Sequence, residues 1–197
     1  HDWARRDSHN RRLWTGVDDV RIIRGSGPRL LEFALTWYER RKPELLLVTT
    51  NAAVELSSPD VEAAVEELSR RLPCPVVRVP APGWSGSLSE GFARVVRTVV
   101  DQCDWTRPAT AGTVAVAGYV MDRYELDHAA NLAELRRLLA LLGQETTAVL
   151  LSGESFAKTR EAAPRAARIV ALPGMHAQSA WLADRTGRPV VTCDLPI

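Results

Sequence analysis

The sequence predicts an α/β protein: two parallel-sheet units with helices on both faces. Three observations predict it. Continuous apolar runs of strand length, such as "LLLV" at residues 45–48, alternate with segments whose apolar residues recur at helical spacing. Gly and Pro punctuate the transitions. The alternation runs through twice, on either side of "DWTRPATAGT" at residues 104–113, which has neither period. With 197 residues and 46% hydrophobic content, the chain is long enough to bury a substantial core.

The elements follow in order. Residues 1–15 carry Arg5, Arg6, Arg11 and Arg12 with few apolar side chains and read as a flexible basic arm. "VRIIRG" reads as a strand and "GSGP", residues 25–28, as a turn. Pro28 then opens a helix whose Leu30, Leu31, Ala34, Leu35 and Tyr38 share a face, and Pro43 stops it. "ELLLVTT" has the pattern of a strand covered on both faces, and Ser58-Pro59-Asp60 supplies a cap and first turn for a helix through Leu72. "PVVRVP" is the next strand, followed by a helix with Leu88, Phe92, Val95, Val96 and Val99 on one side. Beyond the break come "VAVAG", a helix bearing Leu132, Leu135, Leu138, Leu139 and Leu142 and ended by Gly143, then "AVLLSG", a helix, "ARIVAL", a helix around Trp181, and "PVVTC". This gives a first unit over 16–103, a linker over 104–112, and a second unit over 113–197 that the pattern leaves truncated at its C-terminus.

Composition narrows the function. Lys plus Arg total 25 against 24 for Asp plus Glu, a net charge of +1, which gives no footprint for nucleic acid or an anionic membrane surface. No apolar run approaches the roughly 20 residues of a membrane-spanning helix. Cys74, Cys103 and Cys193 are odd in number and in no CxxC spacing, which fits reduced thiols and a cytoplasmic location and offers no local metal site.

In such folds the working loops follow the carboxyl ends of the strands. "GSGP" presents backbone N–H groups to an anion or simply makes a tight turn, and it lacks the third glycine of a dinucleotide fingerprint. "APGWSGSLSEG", residues 81–91, has glycines around Trp84 that permit close approach by a ligand or another chain. Its Ser85 lacks the second glycine of a nucleophile elbow, since Ser87 stands two residues after it. His128, preceded by Asp127, and His176, after Pro173-Gly174, have no companions at metal-ligand spacing and read as surface or capping residues. Asp122, Glu125 and Asp127 form an acidic helix entrance.

Taken together, "KPELLLVTTNAAVELSSPDVEAAVEEL", "CPVVRVPAPGWSGSLSEGF", "VAVAGYVMDRYELDHAANLAELRRLLALLG" and "RAARIVALPGMHAQSAWLADRTGRPVV" resemble the nitrogenase component 1 family over residues 17–197. That family includes molybdenum–iron protein subunits, cofactor-assembly scaffolds and dark-operative protochlorophyllide reductase subunits. The resemblance implies Rossmann-like domains, a homologous partner subunit or a homo-oligomer, electrons from an ATP-dependent iron–sulfur reductase, and a metal cluster at the subunit interface. It also implies a cluster cysteine in the turn after Leu45 to Thr50, where this chain has Asn51, with Glu55 and Asp60 as the remaining acidic residues of that turn. A second cluster cysteine is implied at the end of "ARIVAL"; counting back from Gly187 without a gap places Ala171 there. Neither residue is a soft anionic ligand for iron.

The sequence therefore leads to a nitrogenase component 1-like oxidoreductase subunit that reduces a small molecule or tetrapyrrole. No cofactor is expected in this segment alone, and an iron–sulfur cluster is compatible with the full complex. A non-catalytic assembly scaffold on the same fold is the first alternative and an unrelated small-molecule binder the second. Ligand or partner contact is expected at Asn51, Glu55, Gly83, Trp84, Ser85, Gly86, Ser87, Gly174 and His176.

Overall fold

The computed structural model describes residues 15–16, 25–57, 60–81, 83–84, 86–120 and 127–194. The expected strand "VRIIRG", except for Gly25, and the basic arm, except for Thr15, lie outside them. The chain forms two compact units, residues 1–87 and 88–197.

In the first unit, Gly27–Arg41 form α1, Leu46–Thr50 β1, Ala52–Ser57 α2, Asp60–Arg71 α3 and Val76–Pro80 β2. β1 and β2 pair in parallel from Leu46↔Val76 to Thr50↔Pro80. α1 ends where Lys42 turns left-handed (φ 46°) and its N–H reaches the Tyr38 carbonyl at 2.8 Å, one residue before Pro43. Val61, Ala64, Val65 and Leu68 place one face of α3 inward. Of these, Val61, Val65 and Leu68 meet Ala34 and Tyr38 of α1, Val48 of β1 and Val76 of β2 in the core of the unit.

α2 departs from the sequence reading, which leaves Asn51–Ser58 as a loop. The Asn51 side-chain oxygen accepts the Val54 N–H at 3.0 Å. Ala52 and Ala53, which carry no chemistry, are good helix formers behind that cap.

The second unit contains α4 (Leu88–Asp101), β3 (Thr110–Ala117), α5 (His128–Leu141), β4 (Glu145–Val149), α6 (Phe156–Ala162), β5 (Ala166–Ala171), α7 (Ser179–Thr186) and β6 (Val190–Thr192). Short 3-10 turns occupy Ala163–Arg165 and Pro173–Gln178. All four strands are parallel in the order β4-β3-β5-β6. Alternate residues serve opposite faces. Ala117, Ala148, Ile169 and Ala171 join Val96 and Val100 of α4 and Leu182 of α7 on one side. Val114, Val116, Val149 and Val170 join Leu132, Leu135 and Leu139 of α5 on the other. Helices thus cover both faces of a parallel sheet, as the uninterrupted apolar strands require.

The division between units falls before α4, whereas the sequence reading places a linker at 104–112. The apolar face of α4 is buried in the second unit's core together with Trp105, whose indole N–H donates to the Val100 carbonyl at 2.9 Å. Residues 104–112 accordingly hold a buried anchor and the start of β3.

Candidate functional site

In the first unit, the carboxyl ends of β1 and β2 lie side by side, with Thr50 opposite Pro80. Thr50 donates its hydroxyl to the Glu55 carboxylate, and the second carboxylate oxygen accepts from Arg78 at 2.7 Å. The same guanidinium also donates to Glu62 of α3. The Thr50 hydrogen bond, followed by Arg78, holds the Glu55 carboxyl below the ordinary glutamate range, against the opposing effect of burial. Glu55 is therefore an ionised strut that ties α2 to both strands and, through Arg78, to α3. It is no proton donor at neutral pH.

Asn51 itself is exposed, but its side-chain oxygen is used in the α2 cap. The "GSGP" turn has its anion within the chain. The Asp60 carboxylate accepts the Ser26 N–H at 3.2 Å and the Gly27 N–H at 2.6 Å. A Cβ at Gly27 would sit 2.7 Å from the Asp60 carbonyl and one at Gly25 2.6 Å from its carboxylate, so both glycines are required by this close approach.

After β2, Gly83 and Gly86 adopt φ 82° and 94°, conformations that favour glycine. Among the described residues, nothing lies within 4 Å of a Cβ at Gly83. Trp84 between them is 56% exposed. Ser87 is exposed, and Ser85 lies outside the described residues.

In the second unit the chain leaves β3 toward β4 and β5 toward β6, so the switch point where α/β proteins bind ligands lies between β3 and β5, among the loops at the strands' carboxyl ends. Gly118 (φ 100°) and Gly174 bring two of these loops together. A Cβ on Gly118 would lie 2.7 Å from the Leu172 carbonyl, and one on Gly174 would lie 3.0 Å from the Gly118 carbonyl. The backbone that approaches Gly174 is thus the chain's own. His176 is partly buried, with Nε2 donating to the Cys193 carbonyl at 3.3 Å and Nδ1 3.7 Å from the Asp194 carboxylate.

His128 differs from the surface or capping residue expected from the sequence. It is 8% exposed, its Nε2 lies 2.8 Å from the Ser152 carbonyl, and its Nδ1 lies 3.2 Å from the Tyr119 hydroxyl. Tyr119 and Ser152 are buried beside it, and among the described residues the Ser152 hydroxyl has no hydrogen-bond partner. Leu151, immediately before, has φ 60°, a strained conformation for a residue with a branched side chain. Sequence spacing gave no signal for this network, because the histidine opens α5 while its partners follow two different strands, β3 and β4. Asp122 and Glu125 of the expected acidic entrance lie outside the described residues.

The positions implied for iron ligation do not fit a cluster. Ala171 is fully buried in the core, its side chain offers no donor, and its carbonyl accepts the Cys193 N–H at 2.9 Å. Asn51 is a neutral, hard group already engaged as a cap. Cys74 is buried, and Cys103 donates its thiol to the Val99 carbonyl at 3.3 Å while burial pushes its pKa to about 11. A thiol so protonated is a poor ligand. Among the described residues, no group of three or more His, Cys, Asp or Glu side chains is placed to hold a metal ion. No helix among them is long and apolar enough to cross a membrane.

In the second unit a parallel sheet with helices on both faces, and loops gathered at the strands' carboxyl ends, define an α/β fold of the doubly wound kind. The family described as nitrogenase component 1 type oxidoreductase matches residues 4–197, and the chain belongs to that family. It is 24% identical over 194 residues to the nitrogenase iron-molybdenum cofactor biosynthesis protein NifN of Nostoc sp., a match covering 89% of this chain and 43% of that protein. It is 28% identical over 90 residues to the protein of the same description from Rippkaea orientalis, covering 44% of this chain and 20% of the relative. Among solved structures, "Nitrogenase Cp1 at pH 5" superposes with a TM-score of 0.74 at 20% identity, over 91% of this chain and 36% of that one. The same protein at pH 6.5 gives a TM-score of 0.74 over 91% and 34%. The chain spans less than half the length of these relatives.

Proposed function

We propose that this chain is part of a nitrogenase component 1-like subunit of the cofactor-assembly kind. It holds a metal cofactor or its precursor beside a homologous partner subunit, with no protein thiolate at Asn51 or Ala171. The observation that carries the reading is the use of these two positions for structure: one caps α2 and the other is sealed in the core. Both relatives named above are cofactor biosynthesis proteins, which supports the same direction. A scaffold has to release what it holds, and fewer direct iron–sulfur bonds make release easier. Contact with cofactor or partner falls on Asn51 to Glu55, Gly83 to Ser87 and Gly174 to His176. Trp84, which is largely exposed, serves as the partner anchor. Any iron–sulfur cluster is supplied by the remainder of the subunit or by the partner. The three free cysteines suit a cytoplasmic setting.

The second reading is a reductase subunit, favoured by the family's description as an oxidoreductase. The two separate in one experiment with the full-length protein and its partner subunit under anaerobic conditions. The scaffold reading expects uptake of an extracted iron–molybdenum cluster and its transfer to a cofactor-free acceptor. Turnover of a reducible substrate with an ATP-dependent iron–sulfur reductase, without cluster transfer, would overturn it.

A further inference from the structure

Tyr119, His128 and Ser152 form a buried group within the second unit. A carbonyl oxygen only accepts hydrogen bonds, so His128 Nε2, 2.8 Å from the Ser152 carbonyl, must carry the proton. In the neutral imidazole Nδ1 is then an acceptor, and the Tyr119 hydroxyl donates to it at 3.2 Å. The proton positions thus run in one direction, from the end of β3 through the first residue of α5 to the loop after β4. Beyond Tyr119 the contacts continue without a gap. Gly118 packs on the Leu172 carbonyl, and Val120 and the Gly118 carbonyl close over Gly174. The Met175 N–H, donated to Leu172 at 2.8 Å, completes the turn after β5.

We infer that Tyr119 and His128 are positioning residues for the turn Pro173–His176. The hydroxyl-to-imidazole bond fixes Tyr119, Tyr119 fixes Gly118 and Val120, and these hold the turn that follows Ala171. The tight fit at Gly118 and Gly174 leaves no slack to absorb a shift, because a packed contact transmits displacement where a loose one would not. The importance of this device for cofactor handling rests on the assembly reading above; the device itself does not.

The test uses the full-length protein. Nitrogen-15 spectra of the imidazole should show His128 protonated at Nε2 and unprotonated at Nδ1. Tyr119→Phe keeps the ring and removes the hydroxyl's hydrogen bond to His128, and it should speed amide exchange at Met175 roughly fivefold. Exchange at Ala167, whose N–H is held by Thr113 at the opposite end of β5, should stay unchanged. A His128 protonated at Nδ1 alone would overturn the directed chain. Faster exchange confined to residues 118–128, with Met175 unmoved, would overturn the positioning of the turn. Either result leaves the assembly reading standing, since neither measures cluster transfer.

Discussion

The side-chain oxygen of Asn51 accepts the backbone N–H of Val54 at 3.0 Å, so the residue that the sequence resemblance sets against a cluster cysteine serves here as a helix cap. Asn51→Ala should lower the stability of the protein by about 1 kcal/mol, the usual cost of a lost cap, without changing the iron content of the complex. Urea denaturation midpoints and iron analysis on the same preparation check both halves.

Glu55 should make the first unit sensitive to acid. Its carboxyl titrates below the ordinary glutamate value because Thr50 and Arg78 favour the ionised form. A depressed carboxyl contributes stability that is fully present above its unfolded value, near 4.5, and is lost as pH falls through the folded value. Wild type should therefore exceed Glu55→Gln in stability at pH 7, and the gap should narrow as pH falls below about 4.5. A gap that stays constant from pH 7 to pH 3 would remove Glu55 from the network.

The three thiols should react in a fixed order. Cys103 is buried and its pKa lies near 11, and Cys74 is likewise buried with its pKa raised, whereas Cys193 is partly accessible. At pH 8 iodoacetamide should modify Cys193 first and reach Cys103 only on unfolding. Mass spectrometry of peptides from briefly treated native protein gives the order.

Trp84 should matter for association and little for folding. Being 56% exposed, it contributes little to the core, so Trp84→Ala should leave the unfolding midpoint nearly unchanged. Affinity for the partner subunit should fall by roughly 2 kcal/mol, the scale of an interface hot spot. Calorimetry on the pair and a denaturation curve for the variant together distinguish an anchor from a core residue.

Much of the fold was legible because helical spacing in α1, α3 and α5 and the uninterrupted apolar strands are local signals. Pro43 and Gly143 marked helix ends for the same reason. α2 was missed although Asn51 before Ala52-Ala53 is a capping signal, because the position after a strand end suggested a loop. The membership of α4 depended on which core its apolar face joins, and spacing does not encode that choice. The site was less legible still. Gly174 needs its small size for a contact with Gly118, 56 residues earlier, and His128 is buried by partners from other strand ends. Such contacts are made by topology, so the sequence marks the residues without marking their use.

The central claim is that none of the three cysteines of this chain ligates an iron cluster. Its most direct test is the iron content and electron paramagnetic resonance of the full-length protein, purified anaerobically with its partner. Wild type is compared with a variant in which Cys74, Cys103 and Cys193 are all replaced by Ala. The account predicts the same iron per protein and the same spectrum for both, once folding of the variant has been verified by circular dichroism. A folded variant that has lost a cluster present in wild type would contradict it.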